Sequence, residues 1–121
     1  MVDLQKAIKR LKEAAKLPSG VLIHQDATIQ RFEFTFELTW KVIREFANFK
    51  GLETTSPRDA FRIASDLGLV NNPEVWFDFL KDRNLSTHLY NEDEAIKIFS
   101  HLPNFVSECE ALIEKIESGL K

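Results

Sequence analysis

Eight consecutive residues, 83–90 (RNLSTHLY), concentrate the side chains of this chain that can do proton or phosphate chemistry. The imidazole of His88 titrates near neutral pH, so it can act as a general base or acid. The guanidinium of Arg83 offers planar, permanently charged donors that suit a phosphate or a phosphorane-like transition state. Together they suffice to cleave RNA without a metal, because His88 can take the 2′-hydroxyl proton while Arg83 stabilises the charge.

The remaining polar side chains of this segment have supporting roles in the hypothesis. Asn84 could hold the imidazole or a phosphate oxygen, and Ser86 and Thr87 could orient the substrate. The alternative is a plain helical bundle in which one Arg and one His share this spacing by chance. In that case Asp82 pairs with a nearby Lys or Arg, and Tyr90 packs at a helix junction.

Helix geometry restricts how such a site could form. Residues five apart on an ideal helix are separated by about 140°, so Arg83 and His88 cannot converge from one straight helix. Two arrangements would bring them together. Either the helix ends near Thr87, with Asn91 capping the next helix, or two copies of the chain combine side chains about a twofold axis.

The elements that must position this segment are predicted to be helices. Ser56 and Asn72 each precede a proline, a pattern typical of a helix start. Gly51 and Gly68 lie where left-handed helix C-caps are expected. Between these marks the apolar spacing predicts helices over about 57–67 and 73–89.

The two ends of the chain also show helical periodicity. The first helix is predicted from an apolar face, and the last from a long apolar stripe that runs from Leu102 to Ile116. Pro103 should kink the last helix or divide it in two. The face of the first helix comprises Leu4, Ile8, Leu11 and Ala15.

Residues 32–40 (FEFTFELTW) fit two kinds of element. Apolar and polar residues alternate as in a half-buried strand. A helical face also fits, and the pattern continues to Phe49 without a turn or a pairing strand, so a long helix is predicted. Its broad apolar surface predicts the central helix of a bundle or part of a dimer face. That surface comprises Ile29, Phe32, Phe36, Trp40, Ile43 and Ala47.

Length and composition indicate a soluble all-α domain spanning residues 1–121. The chain is 44% hydrophobic and carries a single cysteine, which excludes an internal disulfide. No secretory signal or membrane-length apolar run is present in the sequence, so a cytoplasmic location is expected. Nineteen Asp and Glu outnumber sixteen Lys and Arg, so RNA contact would have to be local.

The other reactive residues have simpler interpretations. His24 and His101 lack ligand-spaced partners and are predicted to be ordinary surface or loop histidines. Cys109 falls within the apolar stripe and is predicted to be a small core residue. The acids at 92–94 suit a solvated helix start after Asn91. No glycine-rich phosphate loop occurs, so no nucleotide site of the chain's own is expected. No cofactor or metal of its own is expected either.

Several motifs together resemble a known family. Residues 83–90 resemble the Arg-x4-His-x-Tyr signature of HEPN-domain proteins, the group that includes HepT toxins. Residues 31–41 (RFEFTFELTWK), 56–58 (SPR) and 68–70 (GLV) before Trp76 resemble one branch in particular, the nucleotidyltransferase substrate-binding proteins. The match extends from about residue 29 to residue 95.

This resemblance implies an up-and-down four-helix bundle with an additional short helix, which forms a homodimer. It also implies a minimal nucleotidyltransferase partner that acts as antitoxin, using ATP and Mg to add AMP to Tyr90. Arg83 and His88 would be the ribonuclease pair, with Asn84 as the polar residue after the arginine, and RNA a transient substrate. An older view of the family implies instead a non-catalytic subunit that binds substrate for the nucleotidyltransferase.

Overall fold

A computed structural model describes residues 2–16, 22–87 and 92–119, and all regular structure in these ranges is helical. The predicted all-α class is confirmed. None of the described helices is long and apolar enough to cross a membrane. The helices are α1 (Val2–Ala15), α2 (Leu22–Phe49), α3 (Pro57–Asp66), α4 (Pro73–Ser86) and α5 (Glu92–Gly119).

The predicted helix boundaries in the middle of the chain are confirmed at atomic detail. The Ser56 hydroxyl accepts a hydrogen bond from the backbone N–H of Asp59 at 3.1 Å, which caps α3. The Asn72 side chain accepts from the N–H of Glu74 at 3.0 Å and caps α4 in the same way. Gly51 follows α2 in a left-handed conformation with φ of +82°, which a residue with a Cβ rarely adopts.

The segment that alternates like a strand is part of α2, the central helix, which packs against all four other helices. Two of its polar positions explain the ambiguity. Thr35 and Thr39 are fully buried, and their hydroxyls donate to the carbonyls of Arg31 and Thr35 at 2.6 and 2.7 Å. Because a helical threonine can bond to its own previous turn, these residues enter the core without unpaired hydroxyls. The predictions of a long helix and of its central place are both confirmed.

Aromatic rings connect the helices through the core. The Phe105 ring of α5 lies edge-on to Phe32 of α2 at 5.0 Å between ring centres, and to Phe79 of α4 at 5.1 Å. Trp76 of α4 stacks on Phe61 of α3 at 4.9 Å. These four helices therefore share one aromatic cluster, which fixes α4, the carrier of the candidate site, relative to α2 and α5.

Cys109 belongs to this interior, as predicted. Its side chain is fully buried beside the Thr39 hydroxyl, with 3.7 Å between sulfur and oxygen. Burial raises the pKa of the Cys109 thiol to about 12. The thiol is therefore a packing group at neutral pH and not a nucleophile.

Two predictions about helix details were wrong, and one of the two alternatives for Pro103 is excluded. Ala14 and not Ala15 completes the buried face of α1, because a helical step of three from Leu11 also lies on that face. Pro103 does not divide the last helix, since α5 continues through it with the buried Leu102 and Phe105 on either side. The helix predicted over 73–89 ends at Ser86, while residues 88–89 lie outside the described ranges.

Candidate active site

The last turn of α4 places the Arg83 side chain against α2. Its Nη2 atom lies 3.3 Å from Oε1 of Glu37, and its guanidinium carbon lies 5.5 Å from the ring centre of Phe36. The Arg83 side chain is 25% exposed. A cation so close to an aromatic face and a carboxylate has fewer positions available than a free surface arginine. The structure therefore holds Arg83 in place while leaving part of it accessible.

Glu37, the partner of Arg83, is itself held by a second contact. The indole Nε1 of Trp40 donates to Oε2 of Glu37 at 2.9 Å, so the two carboxylate oxygens serve different donors. The guanidinium of Arg44 lies 5.1 Å from the ring centre of Trp40. This chain of contacts runs along α2 from Glu37 through Trp40 to Arg44. The position of the Arg83 guanidinium therefore depends on residues of α2 as well as on α4.

The Nε donor of Arg83 is a further feature of this site. This nitrogen is buried and has no hydrogen-bond partner among the described residues. Unpaired buried donors are uncommon because each loses its bonds to water. Among the described residues Arg83 therefore combines a partly exposed guanidinium with one unsatisfied buried donor.

Glu33 lies one turn before Glu37 and also faces Arg83. Partial burial raises the pKa of the Glu33 carboxyl above its ordinary value of 4.5, while the charge of Arg83 and the Ser86 side chain act in the opposite direction. Two carboxylates of α2 thus lie beside one arginine of α4. They lower the local positive potential that an RNA phosphate would meet.

The other predicted site residues of α4 close the end of the helix. The Ser86 hydroxyl donates to the carbonyl of Arg83 at 2.7 Å, and the Thr87 hydroxyl donates to the carbonyl of Asn84 at 2.8 Å. These carbonyls lie in the last turn, where helical partners are missing. The Asn84 side chain is exposed. The hydroxyls therefore have a structural role, and the substrate-orienting role of Ser86 and Thr87 stays a prediction.

His88, Tyr90 and Asn91 lie outside the described residues. The catalytic role of His88 and the modification of Tyr90 stay predictions based on the sequence. One of the two arrangements expected from helix geometry requires α4 to end near Thr87. The structure meets that requirement, since α4 ends at Ser86 and Thr87 is its C-cap residue.

A second polar pair, which the sequence interpretation missed, lies on the side of α4 that faces α5. His101 is not an ordinary surface or loop histidine, because its Nδ1 lies 2.7 Å from Oδ2 of Asp82. Asp82 accordingly has an imidazole as its close partner, and the charge of Lys97 also acts on its carboxyl. Its carboxyl is largely buried, and burial raises its pKa despite the opposing effect of His101. The two residues are nineteen positions apart on different helices, so no local sequence pattern could have predicted the pair.

Comparison with known families gives a match over almost the whole chain. Residues 1–118 match the family described as "Nucleotidyltransferase substrate binding protein like". A probable ribonuclease HepT from Haemophilus influenzae is 26% identical over 93 residues, which are 73% of this chain and 64% of that protein. The alignment therefore leaves about a third of that protein's length unmatched.

Two solved structures are similar over nearly their full lengths. A protein from Thermus thermophilus superposes with a TM-score of 0.86 at 35% identity, covering 93% of this chain and 98% of that one. HI0074 from Haemophilus influenzae, whose structure is described as the fold of a substrate binding domain of a nucleotidyltransferase, superposes with a TM-score of 0.79. It is 24% identical, with 94% of this chain and 96% of HI0074 covered. The arrangement of helices is therefore the HI0074-type fold.

Proposed function

Because the chain belongs to the nucleotidyltransferase substrate-binding family, within the HepT-like group, we propose that it is the ribonuclease toxin of a toxin–antitoxin pair. The antitoxin is a cognate minimal nucleotidyltransferase, and the pair acts in the cytoplasm. One observation carries the proposal. Arg83, the cation of the Arg-x4-His-x-Tyr signature, lies at the end of α4 against Glu37 and Phe36, with its guanidinium partly exposed.

The proposed cleavage needs no metal. His88 takes the proton from a ribose 2′-hydroxyl, and the 2′-oxygen forms a bond to the adjacent phosphorus. Arg83 donates hydrogen bonds to the phosphoryl oxygens as negative charge develops on them. The bond from phosphorus to the 5′-oxygen breaks, and that oxygen takes back a proton from the imidazolium or from water. The products are a 2′,3′-cyclic phosphate and a 5′-hydroxyl end.

Control by the partner acts on Tyr90, two residues after His88. The phenol oxygen of Tyr90 attacks the α-phosphorus of ATP, which the partner binds with Mg²⁺. The phenol loses its proton, pyrophosphate leaves, and AMP stays on the tyrosine. A bulky phosphodiester so close to His88 would block RNA and repel its phosphates, so cleavage would stop.

A homodimer completes the proposal. Phe34 on α2 is 58% exposed, although it lies one turn from Glu37 and directly follows Glu33. Leu38, one turn further along, is only partly covered. An exposed phenylalanine beside the candidate site suits an interface that brings a second copy close to Arg83. RNA would then contact residues of both protomers.

A non-catalytic role is the second candidate function. Here the chain binds substrate for the nucleotidyltransferase and cleaves nothing itself. The family description favours it, and so do the two carboxylates beside Arg83 and the net charge of −3. In this case the Arg83 surface would receive a substrate or the partner enzyme.

Expression of the chain alone separates the two candidates. As a ribonuclease toxin it should stop growth and degrade cellular RNA, and His88→Ala should relieve both effects at equal expression. As a binding subunit it should do neither, while forming a stable complex with the nucleotidyltransferase. Equal toxicity of wild type and His88→Ala would sink the ribonuclease assignment. With partner, ATP and Mg²⁺, the wild type should gain the mass of AMP, and Tyr90→Phe should not.

A further inference from the structure

A cleft of about 660 Å³ lies between α4 and α5, on a side of α4 different from the one that carries Arg83. Its volume falls within the range of small-molecule sites, about 300–1,000 Å³. The two helices contribute different chemistry. The α4 side is lined by three apolar and three charged residues, Val75, Phe79, Leu85, Asp78, Lys81 and Asp82. The α5 side is lined by polar residues, Lys97, Ser100, His101 and Asn104.

The contact with Asp82 fixes the orientation of the His101 imidazole in this cleft. The Asp82 side chain is 8% exposed and that of His101 is 40% exposed. When Asp82 is ionised its carboxylate only accepts hydrogen bonds, and Nδ1 of His101 is then the donor in the 2.7 Å contact. The free ring nitrogen, Nε2, is then the one that a ligand can use. In the protonated imidazole Nε2 is a charged donor.

Three potential donors follow one another along the α5 wall. Lys97, His101 and Asn104 are spaced at i, i+4 and i+7, so they share one helix face. They supply an ammonium, an imidazole N–H and an amide NH₂. Ser100 lies among them, but its hydroxyl donates to the carbonyl of Lys97 at 2.6 Å. The wall therefore offers three kinds of donor and no carboxylate.

The charges that face His101 favour an anion when the imidazole is protonated. Lys81 and Asp78 come from α4 and Lys97 from α5, with Asp82 in direct contact. Three cations (Lys81, Lys97 and protonated His101) then face two carboxylates (Asp78 and Asp82), which leaves a net charge of +1. The Asp82 carboxylate already contacts His101. On the α5 side of the cleft a ligand would therefore lie next to Lys97 and His101.

We propose that this cleft binds a phosphate monoester, or free phosphate, on the donors of Lys97, His101 and Asn104. The site shares no residue with the Arg83 surface, so it stands whether or not the chain cleaves RNA. Val75 and Leu85 line the same cleft and would contact the organic part of a phosphate monoester.

The test is a titration of the full chain followed by NMR of the histidine ring nitrogens, with His101 assigned through His101→Gln. Sodium phosphate and AMP should each give saturable shifts of the His101 ring at one fixed pH. Adenosine should give none. Lys97→Ala should weaken phosphate binding about tenfold or more, as expected for loss of a charge-assisted hydrogen bond.

Matched variants separate this site from general electrostatics and from the proposed ribonuclease site. Lys115→Ala removes the same charge from an exposed position of α5 outside the cleft and should leave binding unchanged. Arg83→Ala should also leave it unchanged. Lys97 is exposed, so its variant should keep the thermal unfolding of the wild type. Shifts that do not saturate, equal shifts with adenosine, or equal losses in Lys97→Ala and Lys115→Ala would overturn the proposal.

Discussion

The Nη2 atom of Arg83 lies 3.3 Å from Oε1 of Glu37, which links the end of α4 to the central helix α2. In the proposed ribonuclease this contact would have two opposing effects on an RNA substrate. Glu37 orients the guanidinium, but its charge also competes with a phosphate for the same donors.

Glu37→Gln should therefore separate binding from cleavage. Removing the negative charge should tighten binding of a 2′-deoxy substrate, which cannot be cleaved, by a few-fold at low salt. Cleavage at saturating RNA should fall, because the guanidinium loses the contact that positions it. Fluorescence anisotropy gives the affinity and gel analysis gives the rate. Glu45→Gln, at an exposed position of the same helix, is the control for charge alone. A variant that binds more weakly than wild type would contradict this account.

The aromatic cluster should carry much of the stability. Phe105 is fully buried and contacts rings from α2 and α4, so Phe105→Ala should lower the free energy of unfolding by about 3–5 kcal/mol. Ile96→Ala, on the same helix but 52% exposed, should change it by no more than about 0.5 kcal/mol. Urea unfolding followed by circular dichroism compares the two. Similar values for both variants would show that the cluster is not the centre of the core.

Glu33 predicts a pH dependence with a definite sign. Its pKa is raised in the folded state by burial, so the carboxyl favours folding most at a pH below its ordinary value of 4.5. That contribution is lost as the pH rises through the raised pKa. As the pH rises through this range, the free energy of unfolding of Glu33→Gln should therefore increase relative to that of the wild type. At higher pH the difference between the two should stay constant. In an Arg83→Ala background the rise should extend to higher pH, because the opposing charge is gone. A difference that shrinks with rising pH would have the wrong sign.

Phe34 provides a test of the proposed dimer. Phe34→Glu should shift the chain toward monomer in light scattering at several concentrations, because it places a charge in an apolar interface. Phe49→Glu makes the same change at a residue that is 73% exposed at the far end of α2, and it should leave the mass unchanged. A wild-type chain that is a monomer at every concentration would remove the dimer from the proposal.

Local sequence signals were enough to predict the class of fold and most helix boundaries. Ser56, Asn72, Gly51 and Gly68 act through bonds within a few residues, so their types indicate their conformations directly. The helical conformation of residues 32–40 could be predicted because the apolar pattern continues without a turn to Phe49. Thr35 and Thr39 alternate with apolar residues, so in the sequence they resemble the solvent-facing positions of a strand. Their burial could not be predicted, because the hydrogen bond of each hydroxyl to its own helix is not visible in the sequence.

The surroundings of the candidate site were less predictable. Arg83 was found from its type and its place in the motif. Glu33 and Glu37 lie beside Arg83 because of how α2 and α4 pack. In the sequence nothing distinguishes these two glutamates from other polar residues of the helix. Asp82 and His101 meet across two helices for the same reason. Tertiary pairs of this kind follow from the core, which joins residues far apart in the chain.

The most direct measurement is cleavage of a short RNA by the purified chain in the presence of EDTA, with wild type compared with Arg83→Ala and His88→Ala. Arg62→Ala, at an exposed position of α3, controls for the loss of one arginine. The wild type and Arg62→Ala should give 2′,3′-cyclic phosphate products, and each site variant should lose about 100-fold or more in rate. Loss of the partly exposed ion pair should cost Arg83→Ala no more than about 1 kcal/mol of stability. No cleavage by the wild type, or equal cleavage by His88→Ala, would contradict the assignment of Arg83 and His88 as a ribonuclease pair.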